Sequence, residues 1–376
     1  MLILLIMDKL HILLVCPDGT NFPQLKQAGT LALAMRAGGM RVSIFVGNTQ
    51  SSALEGLHAD ISVHYAQPLP KWRFWQDSLL EGFKSLITQD PTIDVVHLVD
   101  VAFPASKLAL YAQKIELSAV GRLWDEADLH SQNLSVIQRK NHAKALSSLK
   151  PLVVHSAHLL DIARKAGIAD VVIIPDGVDT EQFRPVLSKR PIRRGLGLPE
   201  KATLICCMAD IAPENCQIEA LKQCLPLSDT RQMLLIGTVQ DKDYANKLVR
   251  FAADAGASAY LHMREAVDNP EDYLRACDLF ILMGGVERRH TTILQAMSSG
   301  LPVVLAGAPS ALVLTNGNRC GVVLYDGNPL ADTAFEKLIN DPTYRQGRSM
   351  STRPYVQKNF PFKGMVQAYL KIYNSL

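Results

Sequence analysis

Short apolar runs alternate with longer amphipathic segments along the whole of this 376-residue chain. The runs that we interpret as strands are residues 11–16, 41–46 and 95–99 in the first half, and 203–208, 232–236, 259–262, 279–282 and 303–306 in the second. Strands separated by helical segments are typical of parallel βαβ units whose sheets are covered on both faces. The sequence therefore predicts an α/β protein with two doubly wound, Rossmann-like sheets, with a ligand beyond the carboxyl ends of the strands.

The composition is that of a globular protein large enough for two cores. A hydrophobic content of 48% and a charged content of 20% argue against a disordered chain, and a net charge of +3 without a long basic run argues against nucleic acid as a partner. The seven cysteines show no metal-ligand spacing, so we expect reduced, buried thiols. The apolar run at residues 2–6 is too short to cross a bilayer, and we expect a cytoplasmic protein.

The stretch at residues 285–304, GVERRHTTILQAMSSGLPVV, is the most informative part of the chain. It follows an apolar run, is expected to begin a helix at Thr291 and Thr292, and is expected to end that helix at Gly300. The unpaired N–H groups at a helix N-terminus favour anions, phosphates above all. The stretch therefore predicts an anion site at a strand–loop–helix junction.

This stretch resembles the donor-sugar signature of the retaining family-four glycosyltransferases, the group-one type with the GT-B fold. That signature has two glutamates eight residues apart around a glycine-rich turn. Glu287 matches the first glutamate, Gln295 stands in place of the second, and Arg288–His290 replace the open turn. Other stretches resemble the family in the same order along the chain: residues 174–185 (IPDGVDTEQFRP), 194–199 (RGLGLP), 326–331 (DGNPLA) and 340–342 (NDP).

The resemblance covers nearly the whole chain and implies two domains that face each other across a cleft. The expected boundaries are 1–172 for an acceptor-side domain, 173–354 for a nucleotide-sugar-side domain, and 355–376 for a C-terminal helix that packs back on the first domain. It also implies a metal-independent hexosyltransferase that retains the anomeric configuration and needs no cofactor. Its partners would be a nucleotide diphosphate sugar and an unknown acceptor.

In the family, an arginine and a lysine five residues apart hold the leaving diphosphate just after the first strand of the second domain. Asp210 and Asn215 occupy the matching positions here. At about 6 Å and an effective dielectric near 20, each unit charge contributes roughly 2–3 kcal/mol against a phosphate. The exchange of two cations for one anion therefore predicts much weaker donor binding unless other residues compensate.

Two interpretations of the arginine pair remain open. Arg288 and Arg289, with His290, supply replacement cations for the diphosphate, or they are solvated residues on a loop that no longer holds a nucleotide. Gln295 retains one acceptor oxygen for a ribose, or is only a polar residue at a helix start. The donor-side candidates are Glu287, Arg288, Arg289, His290, Thr291, Thr292, Gln295, Asp210 and Asn215, and no catalytic residue is assigned.

On the acceptor side, the family often has a histidine near the reacting carbon. Trp124, followed by Asp125, stands at that place, and a tryptophan cannot exchange a proton near neutral pH. Its ring either stacks on a sugar or packs in the core. Gly19 is the third acceptor-side candidate, where the family has a glycine pair. His155 and His158 have a metal-compatible spacing, but no third ligand accompanies them and we predict no metal site.

The segment 69–87 carries bulky apolar residues at helical spacing beside Lys71, Arg73 and Lys84. This pattern fits a helix that contacts a partner protein or the inner face of a membrane, or a helix that covers the sheet. Two functions follow for the whole chain. It is a glycosyltransferase with an altered or reduced donor site, or a catalytically silent relative that binds or stabilises another protein.

Overall fold

The computed structural model describes residues 10–19, 22–47, 54, 57, 61–68, 77–129, 134–325 and 327–376. The strands are β1 (His11–Cys16), β2 (Arg41–Val46), β3 (Ser62–Tyr65), β4 (Val95–Leu98), β5 (Ser118–Arg122), β6 (Leu152–Val154), β7 (Val171–Ile173), β8 (Thr203–Met208), β9 (Arg231–Ile236), β10 (Leu261–Arg264), β11 (Leu279–Leu282), β12 (Val303–Ala306) and β13 (Gly321–Leu324). The helices are α1 (Phe22–Ala37), α2 (Ser78–Gln89), α3 (Ser106–Lys114), α4 (Val136–Ser148), α5 (Ala157–Lys165), α6 (Arg190–Gly195), α7 (Gln217–Cys224), α8 (Lys242–Asp254), α9 (Pro270–Ala276), α10 (His290–Ser298), α11 (Ala311–Leu314), α12 (Pro329–Asn340), α13 (Pro342–Asn359) and α14 (Phe362–Tyr373).

The chain divides into two compact units. The first comprises the described residues up to Pro175 together with Met365–Leu376, and the second comprises those of Asp176–Gly364. In the first unit, seven parallel strands form one sheet in the order β3-β2-β1-β4-β5-β6-β7. All six residues of β1 are buried, because helices cover both faces of a parallel sheet.

The second unit holds six parallel strands in the order β10-β9-β8-β11-β12-β13. Its central strand, β8, pairs with β9 on one side and with β11 on the other, where Phe280 lies opposite Cys206. The chain order reverses between β8 and β11, so the loops that follow these two strands flank a crevice at the carboxyl edge. The predicted fold class, two doubly wound parallel sheets, is confirmed.

The C-terminal residues are divided between the two units, and α13 and α14 lie on either side of Pro361. The backbone N–H of Val178 donates to Phe360 O at 3.0 Å and that of Phe362 to Val178 O at 3.2 Å, which holds the end of α13 in the second unit. Tyr369 lies on α14, and its hydroxyl accepts a hydrogen bond from Arg122, at the end of β5, at 2.8 Å. These contacts explain why only Met365–Leu376 groups with the first unit.

All seven cysteines are free thiols, and six of them are buried. Burial raises the pKa of Cys207 to about 12, so this thiol stays protonated at neutral pH. Within the described ranges, no helix combines the length and the apolar composition that crossing a bilayer requires.

Candidate functional site

Two loops of the second unit meet at the carboxyl edge of its sheet. One follows β8 and contains Asp210, and the other follows β11 and contains Arg289. Arg289 Nη2 donates to Asp210 Oδ2 at 3.2 Å, and the two side chains are 17% and 26% exposed. The adjacency of β8 and β11 therefore brings together residues that lie 79 positions apart in the sequence.

Two glycines allow this close approach of the loops. A Cβ on Gly284 would lie 2.3 Å from Glu214 O, and one on Gly285 would lie 2.8 Å from Asn215 Oδ1. Gly285 also has a φ of +63°, in the left-handed region that favours glycine. The loop after β11 is thus packed directly against the turn at Pro213–Asn215.

Asn215 braces the loop after β8 from within. It is 2% exposed, and its Nδ2 donates to Asp210 O at 2.8 Å. Gln217 Nε2 donates to the same carbonyl at 2.7 Å. The amide nitrogen of Asn215 thus donates a hydrogen bond inside its own loop.

The two arginines have different environments. Arg288 is exposed, whereas Arg289 is turned inward to Asp210. Arg289 Nε is buried and has no hydrogen-bond partner among the described residues. Arg288 is therefore exposed, whereas Arg289 brings a cation to the crevice.

Glu287 lies in a hydrogen-bonded cluster with His290 and Ser310. Glu287 Oε1 accepts from Ser310 N at 2.9 Å and from Ser310 Oγ at 2.8 Å. His290 Nε2 lies 2.6 Å from Ser310 Oγ and 3.6 Å from Glu287 Oε2. Burial raises the pKa of the Glu287 carboxyl, but hydrogen bonds and charge from His290 and hydrogen bonds from Ser310 outweigh it and lower the pKa to about 2. Glu287 is therefore ionised across the neutral range, as a hydrogen-bond acceptor.

Ser310 is a residue of the cluster that sequence reasoning missed. It lies 23 positions after Glu287, beyond β12, and belongs to no motif that we recognised. A serine between a strand and a helix is ordinary, so its pairing with Glu287 becomes visible only in the folded unit.

The remaining donor-side candidates lie on α10. This helix begins at His290, one residue before the predicted start, because the turn Val286–Arg289 leads straight into it. No side chain caps its N-terminus in the described structure. Thr291 Oγ1 is buried without a partner among the described residues, and Thr292 and Gln295 are half-buried. An uncapped helix start beside an arginine suits an anion.

The acceptor-side candidates Trp124, Asp125 and Gly19 lie in the first unit. Trp124 is 5% exposed, its Nε1 donates to Val99 O at 2.7 Å, and the Arg122 guanidinium lies 4.4 Å from its ring centre. This environment fits the alternative in which the Trp124 ring packs in the core. The Asp125 carboxylate accepts from Ala127 N at 3.0 Å and caps a short turn. Gly19 is buried.

The two histidines considered for a metal lie at a helix start. His155 is 5% exposed with Nε2 at 3.1 Å from Trp124 O, and Ser156, not a histidine, caps α5. In the segment 69–87, residues 69–76 lie outside the described residues. The rest forms α2, capped by Asp77, which buries Leu79, Phe83 and Leu86. The described part of this segment therefore covers the sheet.

Fold and site together define a class: a protein with two Rossmann-like sheets of the GT-B type and an arginine-bearing crevice in the second. Residues 188–352 match the family model described as glycosyl transferases group 1. Most of the second unit is thus similar to the group 1 glycosyl transferases.

Curated relatives are glycosyltransferases of distant sequence. The chain is 27% identical to the lipopolysaccharide core biosynthesis mannosyltransferase LpsB of Rhizobium meliloti (strain 1021) over 225 residues, which are 57% of this chain and 64% of that protein. It is 24% identical to the D-inositol 3-phosphate glycosyltransferase of Streptomyces scabiei (strain 87.22) over 182 residues, 46% of this chain and 40% of that protein. The matched segments thus span less than two thirds of either relative.

Solved structures share the fold at low sequence identity. Alr3699/HepE of Anabaena, crystallised with UDP and glucose, has a TM-score of 0.81 at 18% identity and covers 98% of this chain and 100% of its own. The sucrose-phosphate synthase of Thermosynechococcus elongatus has a TM-score of 0.79 at 15% identity, with 97% and 98% covered. These likenesses extend over both units.

Proposed function

We propose that this protein transfers a glycosyl group from a nucleoside diphosphate sugar to an acceptor, and that the donor diphosphate binds at the carboxyl edge of β8 and β11. The observation that carries the proposal is the inward-turned Arg289, 17% exposed, beside the uncapped start of α10. Similarity to a mannosyltransferase and to a protein crystallised with UDP and glucose supports this choice of ligand.

Each site residue has a distinct part in the proposed reaction. Arg289 and the first amides of α10 stabilise the negative charge that grows on the diphosphate as it leaves. Glu287, ionised at neutral pH, accepts hydrogen bonds from hydroxyls of the donor sugar. Gln295 contacts the ribose with its amide. Arg289 and the helix amides supply the positive charge without a metal ion, and transfer proceeds with retention.

The second candidate function is that of a catalytically silent relative that binds or stabilises another protein. A specific observation favours it: the one inward-turned arginine is already paired with Asp210, and the Asn215 amide is bonded within its own loop. In this alternative the second unit keeps the fold while its crevice holds no nucleotide.

Nucleotide binding separates the two functions. We expect calorimetry to detect binding of at least one of uridine, guanosine and adenosine diphosphate. A ligand present at a hundred times its dissociation constant should stabilise the fold by about 2.7 kcal/mol. Arg289→Gln should weaken the binding by about tenfold to a hundredfold, since an inward-turned cation is lost.

Arg288→Gln is the matched control, because it removes the same charge from the neighbouring exposed position. It should change the affinity by less than about threefold, as exposed charges are strongly screened. Release of nucleoside diphosphate from a sugar donor then tests transfer itself. If the natural protein binds none of these nucleotides at millimolar concentration, the proposal is contradicted, and the second candidate function, a catalytically silent relative, is favoured.

A further inference from the structure

We infer that Asp210 is an internal counter-anion: its carboxylate takes, on the Arg289 guanidinium, a position that a donor phosphate oxygen would otherwise take. The inference rests on the proposed function and goes beyond it, because it assigns to one residue the control of how tightly the crevice holds a diphosphate. The negative charge of Asp210 would then decide whether the crevice binds a donor, as in an active protein, or stays empty, as in a silent one.

The carboxylate of Asp210 is held in place on both of its oxygens. Oδ2 accepts from Arg289 Nη2 at 3.2 Å, and Oδ1 accepts from the backbone N–H of Thr238 at 3.3 Å. It cannot leave the arginine without giving up a second hydrogen bond as well.

The backbone at Asp210 is also fixed. Its carbonyl accepts from Asn215 Nδ2 at 2.8 Å and from Gln217 Nε2 at 2.7 Å. On the other side, a Cβ added to Gly237 would lie 2.8 Å from Asp210 Cα, so the neighbouring loop packs tightly against this residue. The counter-anion is therefore a built part of the crevice and not a flexible surface acid.

The charge of the pair is zero where an incoming diphosphate needs a cation. With 17% and 26% exposure, the two side chains are shielded from water more than a surface pair, so their charges are less screened. The guanidinium still has other N–H donors, including the buried Nε, which has no partner among the described residues. A phosphate can therefore reach Arg289, but against the repulsion of a fixed carboxylate.

The test is to neutralise Asp210 and measure nucleotide binding by calorimetry. Asp210→Asn keeps the size of the side chain and an acceptor oxygen for Thr238 N. We expect nucleoside diphosphate to bind about tenfold more tightly, which corresponds to 1.4 kcal/mol. The gain should be smaller for the monophosphate and absent for the nucleoside, because it scales with the charge of the ligand. A purely structural role would not produce this order.

Three further variants make the result specific. Asp254→Asn removes the same charge from an exposed position at the far end of α8 and should leave the affinity unchanged. Asp210→Ser repeats the neutralisation with a different side chain, in case the amide disturbs folding. Arg289→Gln added to Asp210→Asn should abolish the gain, because the released cation is then missing.

The outcomes separate the inference from the proposed function. If the natural protein binds a nucleoside diphosphate and neither neutral variant binds it more tightly, the inference is wrong while the proposed function stands. If no variant binds any nucleotide, both are wrong. If only the neutralised variants bind, the inference holds and the natural protein belongs with the silent relatives.

Discussion

The carboxyl edges of the two sheets share one backbone arrangement. Gly47 follows β2 and packs against the residue after β1, and Gly237 follows β9 and packs against the residue after β8. A Cβ on Gly47 would lie 1.9 Å from Pro17 O, and one on Gly237 would lie 2.1 Å from Ala209 O. The two edges are therefore equivalent as frames, and any difference in function must come from the side chains on their loops.

The two units hold ionisable groups in different environments. At the edge of the second sheet, an arginine and an aspartate meet, and the pKa of Glu287 is lowered to about 2. In the first unit, His97 lies on β4 and is buried. Burial, together with the Arg122 charge, lowers the pKa of His97 to about 3, and its Nδ1 lies 2.6 Å from the Tyr373 hydroxyl. A shared backbone frame therefore does not fix the environment of the ionisable groups that it carries.

The largest effect is expected from the glycines that define the shared frame. Gly237→Ala places a Cβ on backbone atoms that cannot give way, so we expect a loss of about 3 kcal/mol or more in the free energy of unfolding. Gly47→Ala should cost a similar amount in the first unit. Urea unfolding measures both.

Gly195→Ala is the control for these two glycines, since no heavy atom lies within 4 Å of the added Cβ. It should be neutral or stabilise by up to about 1 kcal/mol. If Gly237→Ala changed the free energy of unfolding as little as Gly195→Ala, the two sheet edges would not share the same close packing.

The next effect is the pH dependence of stability that follows from the buried His97. His97 has a folded-state pKa of about 3, below the value of about 6.5 for an unfolded histidine. Between these values the unfolded chain binds a proton that the folded chain does not. Stability present above about pH 6.5 is therefore lost as the pH falls, by at most about 1.4 kcal/mol per pH unit.

Urea unfolding of the natural protein and of His97→Gln at pH 7, 6 and 5 tests this dependence. The variant should show the shallower decline, although burial also lowers the pKa of His11 and His142 in the same unit. An NMR titration that finds His97 protonated at pH 5 would contradict the buried, neutral assignment.

The smallest effect concerns the acceptor-side candidate. Trp124→Phe removes the indole N–H that donates to Val99 O and leaves a buried carbonyl without this donor, which should cost about 1–2 kcal/mol of stability. Nucleotide affinity should not change, because the site that we propose lies in the second unit. A large loss of nucleotide affinity at unchanged stability would show that the first unit contributes to the donor site.

Much of the fold was predictable because burial on both faces leaves a clear signal. The strands at 11–16, 41–46 and 203–208 lie where the apolar runs predicted them. The strand expected at 259–262 instead begins at Leu261, since Ser258–Tyr260 forms a turn. Apolar runs locate strands well, but the exact residue where pairing begins depends on the neighbouring strand.

The candidate site was predictable only in part. The family resemblance located Glu287 and Arg289, and the structure adds Ser310, which no local pattern marks. Whether these residues bind a donor stays a prediction. The hydrogen bond of Asn215 was not predictable from the sequence, because a buried amide must find partners and the fold brings the Asp210 carbonyl within its reach.

The sequence by itself determined that the chain forms two parallel sheets, because strand-length apolar runs separated by helices can be buried in few other ways. Only the tertiary structure decided which of two adjacent arginines turns inward. Neighbouring residues in a turn point in different directions, and the choice depends on where a partner lies. That partner, Asp210, is 79 residues away in sequence and is brought beside Arg289 by the pairing of β8 with β11.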